Sequence, residues 1–171
     1  SSRVNTIGLL ELFCSTTELR PLLHVKRSEE DEIWGLYYEQ EDKLLTSQND
    51  SDYLDRFKTA MMLNDWVNER SEDFILDGYG MAPGLLNMKL NTAEWIAYSL
   101  SELIPYMKTD KSLSKEVEKL QMRIKHGILE ELLPLVALKG IGRVRARALF
   151  NAKYTGKAQL KKASVEELSK I

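Results

Sequence analysis

Residues 138–150 read Leu138-Lys-Gly-Ile-Gly-Arg-Val-Arg-Ala-Arg-Ala-Leu-Phe150. Two glycines one residue apart, Gly140 and Gly142, separate an apolar helical run from one that carries Arg143, Arg145 and Arg147. Glycine reaches backbone angles barred to other residues and lets a second chain approach closely. The downstream helix turns its unsatisfied N–H groups and the positive end of its dipole toward that turn. Backbone amides flanked by arginines then make an anion site of the helix-hairpin-helix kind, suited to a nucleic-acid phosphate backbone.

The charge around the hairpin agrees. The net charge of −2 hides a polarised chain: residues 1–110 hold 10 Lys/Arg and 20 Asp/Glu, a net −10, whereas residues 111–171 hold 14 and 6, a net +8. Phosphate contact is therefore expected mainly in the C-terminal third. With 171 residues, 43% hydrophobic and 29% charged, the composition is that of a folded domain, or of one domain with a small appendage. No apolar run approaches the roughly 20 residues of a membrane span and no signal peptide is visible, so a cytoplasmic protein with no membrane partner is expected. The single cysteine, Cys14, lies in an apolar stretch and reads as a buried thiol.

Apolar spacing predicts an all-α fold, with helices over 4–14, 17–24, 29–45, 51–69, 72–78, 83–104, 112–126, 128–137, 142–152 and 164–170. Ser28 before Glu29, Glu30 and Asp31, Ser51 with Asp52, and Ser71 with Glu72 and Asp73 read as helix starts. Pro83 suits a first turn, and Ser164 with Glu167 makes a capping box. Thr46 to Asp50 and Thr109 to Lys111 read as loops. A border near Gly127 to Glu130 divides a helical bundle over 1–127 from a small hairpin domain over 128–171. A helix at Ser164–Ile171 commonly precedes a second glycine hairpin, so a part of something longer is expected.

The helix at 83–104 carries an apolar stripe of Leu86, Leu90, Ala93, Ala97, Leu100 and Ile104, widened by Leu85, Ile96 and Leu103. Its opposite face holds Met88, Asn91, Trp95, Ser99 and Glu102. Trp95 thus sits roughly 150° from the burying face, where a polar residue is the norm. Either a second helix covers it, or it is an exposed ring on which a nucleobase stacks, a contact indifferent to base sequence. In the second case Met88 supplies a soft contact and Lys89 a phosphate partner. Trp34 and Trp66, among apolar neighbours, read as core.

The runs DYLDRFKTAMMLNDWVNE, GYGMAPGLL, NTAEWIAYSLSEL, RIKHGILEELLPLVALKGIGRVRARALFNA and SVEELSKI together resemble the C-terminal part of archaeal Ski2-like DNA repair helicases of the Hjm/Hel type. The resemblance covers almost the whole chain. It implies a Sec63-like helical ratchet domain to about residue 127, with a small helix-loop-helix domain behind it. It implies that Trp95 stacks on the single strand passing through a pore, and that Arg143, Arg145 and Arg147 touch the emerging strand and restrain unwinding. The implied partners are single-stranded or forked DNA and the motor and winged-helix domains of the same protein, which acts as a monomer. ATP and magnesium belong to that motor, not to this chain.

Two residues depart from the family pattern. Met88 stands where the resemblance implies that some relatives place an arginine, one heptad before the stacking tryptophan. The second hairpin helix usually ends in glycine, whereas Asn151-Ala152-Lys153 offers none. A non-glycine residue in a left-handed cap costs on the order of 1 kcal/mol. Either Asn151 takes that conformation, or Lys153 tolerates it and adds positive charge.

No catalytic constellation is evident. Gly156-Lys157 is followed by Ala158 and lacks the glycine spacing of an ATP loop. Asp50, Asp52 and Asp55 lack the glycine and final glutamate of a calcium loop, Glu29 to Glu32 suit a helix first turn, and His24 and His126 are isolated. The reading is a DNA-binding accessory region with no catalytic residue and no metal. An RNA helicase module of the same architecture, since stacking and phosphate contacts ignore the sugar, and a purely structural or protein-interaction domain are the alternatives.

Overall fold

The computed structural model describes residues 4–46, 48, 50–107 and 111–171. Among them every regular element is helical and the fold is all-α. The helices are α1 (Thr6–Cys14), α2 (Glu30–Gln40), α3 (Tyr53–Val67), α4 (Glu72–Tyr79), α5 (Pro83–Leu103), α6 (Lys111–His126), α7 (Leu133–Val136), α8 (Arg143–Asn151), α9 (Lys157–Leu160) and α10 (Val165–Leu168). None is long and apolar enough to cross a membrane.

The main core lies where α1 packs on α3 and α5 packs on α6. It gathers Leu10 and Phe13 of α1, Leu63 of α3, Leu86 and Ala93 of α5, and Ile124 of α6, all buried. The α5 stripe does what its spacing demands: Leu86, Leu90, Ala93, Ala97 and Ile104 are buried. Each large side chain taken fully out of water contributes roughly 1.5–3 kcal/mol. Leu103 departs from expectation and is exposed, at the last turn before the chain tightens into a 3-10 turn at Ile104–Tyr106. Cys14 is buried, and burial pushes its thiol well above the ordinary range.

A second cluster, Ile128, Leu132, Leu135, Val136 and Ala146, joins α7 to α8. A core this small gives little independent stability, so it depends on what it leans against. A third cluster packs Val25, Ile33, Tyr37 and Phe57 between α2 and α3. Trp34 belongs to its rim, half-buried and stacked on exposed Tyr38 at 5.2 Å. Trp66 is also half-buried, packed against the main core with its indole N–H donating to the Ile124 carbonyl at 2.7 Å.

Helix starts follow local chemistry in part. The Ser71 hydroxyl accepts from Phe74 N, Pro83 occupies the first turn of α5, and Ser164 and Glu167 form both bonds of the capping box. At α2 and α3 the N-caps fall one residue beyond Ser28 and Ser51, at Glu29 and Asp52, and neither makes a side-chain cap bond among the described residues. Glu29 accepts from Lys26 N and from the Lys58 ammonium, while Asp52 pairs with Arg20 and Arg56.

The largest departure is at 17–24, expected as a helix. Only Thr17–Leu19 makes a 3-10 turn, and the chain then runs extended past Pro21. Proline supplies no N–H to continue a helix. The following amides are satisfied by α3 side chains instead, Leu23 N by Thr59 Oγ1 at 2.9 Å and Val25 N by Asp55 Oδ1 at 2.8 Å. The expected helix 29–45 ends at Gln40 and continues as a 3-10 turn, and the short α9 was not foreseen. The polar loop at 46–50 is described only at Thr46, Gln48 and Asp50, and Thr109 and Asp110 of the other lie outside the described residues.

Candidate nucleic-acid interface

Because α5 buries one stripe so completely, its opposite side faces water. Trp95 is 57% exposed there and Met88 47%. Trp95 shares a shallow recess with Glu18, Asn91 and Thr92. Sequence reasoning passed over Tyr98, 50% exposed one turn beyond Trp95; its three-residue spacing was the available signal. The α5 face therefore offers open aromatic area and a thioether.

Lys89 does not belong to this face, and its assignment as a phosphate partner is corrected. It is 1% exposed, and its ammonium donates to the carbonyls of Leu19, at 3.0 Å, and Pro21. Those carbonyls close the 3-10 turn and open the extended segment, where no helix supplies donors. Burial lowers the Lys89 pKa below its ordinary value.

The hairpin is built from α7, a turn and α8. Leu138 N and Ile141 N donate back to Leu135 and Leu138. Gly140 takes the left-handed conformation that the turn requires, φ 84°. Gly142 is the N-cap of α8 in extended conformation; having no side chain, it leaves the first amides of the helix uncapped and approachable. Arg145 is exposed and folds back so that Nη1 donates to Gly140 O at 2.9 Å, which places its charge over the turn.

Arg143 and Arg147 face elsewhere. The Arg143 guanidinium lies 4.7 Å from the Trp66 ring centroid and donates to the Arg70 carbonyl. Arg147 forks onto Glu69, Nε to Oε1 at 3.0 Å with Nη2 on Oε2, and its Nη1 meets Glu131 at 2.7 Å. The Glu69 hydrogen bond chiefly raises the Arg147 pKa further, and Arg147 stays charged throughout. The structure thus brings Gly140, Gly142 and Arg145 together and turns the other two arginines onto the end of α3. Glu69 was invisible to sequence reasoning, since 78 residues separate it from Arg147.

Lys153 resolves the missing glycine. It takes the left-handed cap of α8 at φ 72°, with Lys153 N on Phe150 O and Tyr154 N on Leu149 O, both 2.9 Å. These are the two bonds of a Schellman turn, and the lysine side chain is exposed beyond it. No group of three or more His, Cys, Asp or Glu among the described residues gathers to hold a metal. Asp50 and Asp52 pair with Arg56, and Asp55 binds Val25 N.

The described residues thus combine an all-α body, an open aromatic helix face and a basic glycine hairpin. The chain matches the family described as "Archaeal helicase, domain 4" over residues 7–127, and it belongs to that family. It is 36% identical over 170 residues to the ATP-dependent DNA helicase Hel308 of Pyrococcus abyssi, covering 98% of this chain and 24% of that protein. Hel308 of Methanococcus vannielii is 40% identical over 141 residues, covering 82% and 18%, and that of Aeropyrum pernix 45% over 115, covering 67% and 16%. The chain thus spans about a quarter, or less, of the length of these relatives.

Proposed function

We propose that this chain holds the single strand for an ATP-dependent 3′-to-5′ DNA repair helicase. In this reading residues 1–127 form the ratchet domain and residues 128–171 a DNA-binding tail. A base stacks on Trp95, with Met88 beside it, while the amides after Gly140 and Gly142, with Arg145 and Lys153, take phosphates of the same strand. Motor and winged-helix domains of the same protein supply ATP- and magnesium-dependent stepping on forked DNA, and the chain rectifies the movement.

The observation that carries the reading is the exposure of Trp95 on a helix whose other side is core. Base stacking on such a ring contributes about 1–3 kcal/mol. Adding a thymidine oligonucleotide should quench Trp95 emission, and Trp95→Ala should lose that quenching and weaken binding by roughly this amount. Affinity should fall with salt at a slope of roughly −2 to −4, about −0.7 per phosphate. Unfolding of Trp95→Ala, or an affinity indifferent to salt, contradicts the reading.

A further inference from the structure

Among the described residues four helices run into a left-handed residue, and the four are not alike. Gly80 after α4 and Gly127 after α6 are the residues that conformation favours, with φ 60° and 63°. Lys153 after α8 and Glu69 after α3 are not. At the end of α3, Glu69 N bonds Trp66 O and Arg70 N bonds Asp65 O, a full Schellman turn with a glutamate at φ 67°. Such a choice costs on the order of 1 kcal/mol relative to glycine, so the side chain calls for an explanation.

The Glu69 carboxylate meets Arg147 through two parallel bonds, and Oε2 also accepts from Leu129 N at 3.4 Å. Glu131 takes the remaining Arg147 nitrogen. All three guanidinium nitrogens therefore face carboxylate. Phosphate and carboxylate engage the same planar fork, so the two compete for one place. Arg145 and Lys153, by contrast, are exposed and make no ion pair among the described residues.

Building on the proposed strand-holding function, we infer that Glu69 is a positioning residue that occupies Arg147 where a strand phosphate would otherwise sit. It ties the hairpin to the end of α3 and leaves Arg145 and Lys153 as the cations turned to the strand. The left-handed backbone aims this carboxylate out of the helix end and across to α8.

The test is the salt dependence of thymidine-oligonucleotide binding by the whole chain, with helicity checked for each variant. Arg145→Gln should make the slope shallower by about 0.7, one phosphate contact, while Arg147→Gln leaves it unchanged. Glu69→Gln combined with Glu131→Gln should release Arg147 and steepen the slope by about the same amount, which a merely structural role would not do. A shallower slope in Arg147→Gln, or an unchanged one in the double variant, overturns the inference and leaves the strand-holding function standing. A wild-type affinity indifferent to salt removes both.

Discussion

Gly127 lies so close to the Trp66 indole that a Cβ on it would meet Cε2 at 2.6 Å and Cζ2 at 2.8 Å. The ring is fixed there by its bond to Ile124 O and by the Arg143 guanidinium 4.7 Å from its centroid. Gly127 also holds φ 63°. Gly127→Ala therefore adds left-handed strain, about 1 kcal/mol, to an overpacking cost of about 1–3 kcal/mol. Urea unfolding should show a loss of roughly 2–4 kcal/mol. A variant as stable as wild type would mean that Trp66 moves aside freely, and that the join between α3 and the end of α6 is loose.

Lys89 and Trp95 stand on one helix with opposite fates, and their substitutions should separate accordingly. Lys89→Met keeps the apolar stem but leaves the Leu19 and Pro21 carbonyls without their donor. An unsatisfied buried acceptor costs about 1–3 kcal/mol. Stability should fall by that order, while the salt slope of strand binding stays as it was. A slope shallower by about 0.7 would return Lys89 to the phosphate contacts.

These residues show where sequence reading stops. The α5 stripe, the Ser71 and Ser164 caps and the glycine turn at 140–142 were legible because their causes lie within one or two turns of chain. Lys89 was not: a cation beside an exposed face reads as solvated, and its acceptors are about 70 residues away. The run after Leu19 is extended where its spacing predicts a helix for the same reason, since Thr59 and Asp55 take over the bonds a helix would have made. The spacing of Arg143 and Arg147 predicts phosphate contacts, but their directions depend on Trp66 and Glu69 across the seam.

Lys153→Gly should act in opposite directions on stability and on binding. Glycine relieves the left-handed cap of α8, a gain on the order of 1 kcal/mol. It also removes an exposed cation, so under the proposed function the salt slope should lose about 0.7. Thermal unfolding and oligonucleotide titration on the same sample read both. A rise in midpoint with no change in slope would show that Lys153 faces away from the strand.

Acid should loosen the join between α2 and α3 before the main core responds. The Lys58 ammonium, with Lys26 N at 2.9 Å, holds the Glu29 carboxyl below its ordinary value of 4.5. A carboxyl whose folded pKa is depressed stabilises the fold fully above its unfolded value, and that contribution is lost as pH falls through the folded value. Wild type should thus exceed Glu29→Gln in urea midpoint at neutral pH, with the gap closing once pH drops below about 4.5. Lys58 is itself buried and also donates to His24 O at 3.0 Å, so the loss should appear first in the rings around Trp34, Tyr37 and Tyr53. A gap that stays constant from pH 7 to pH 3 would assign the pair no part in acid sensitivity.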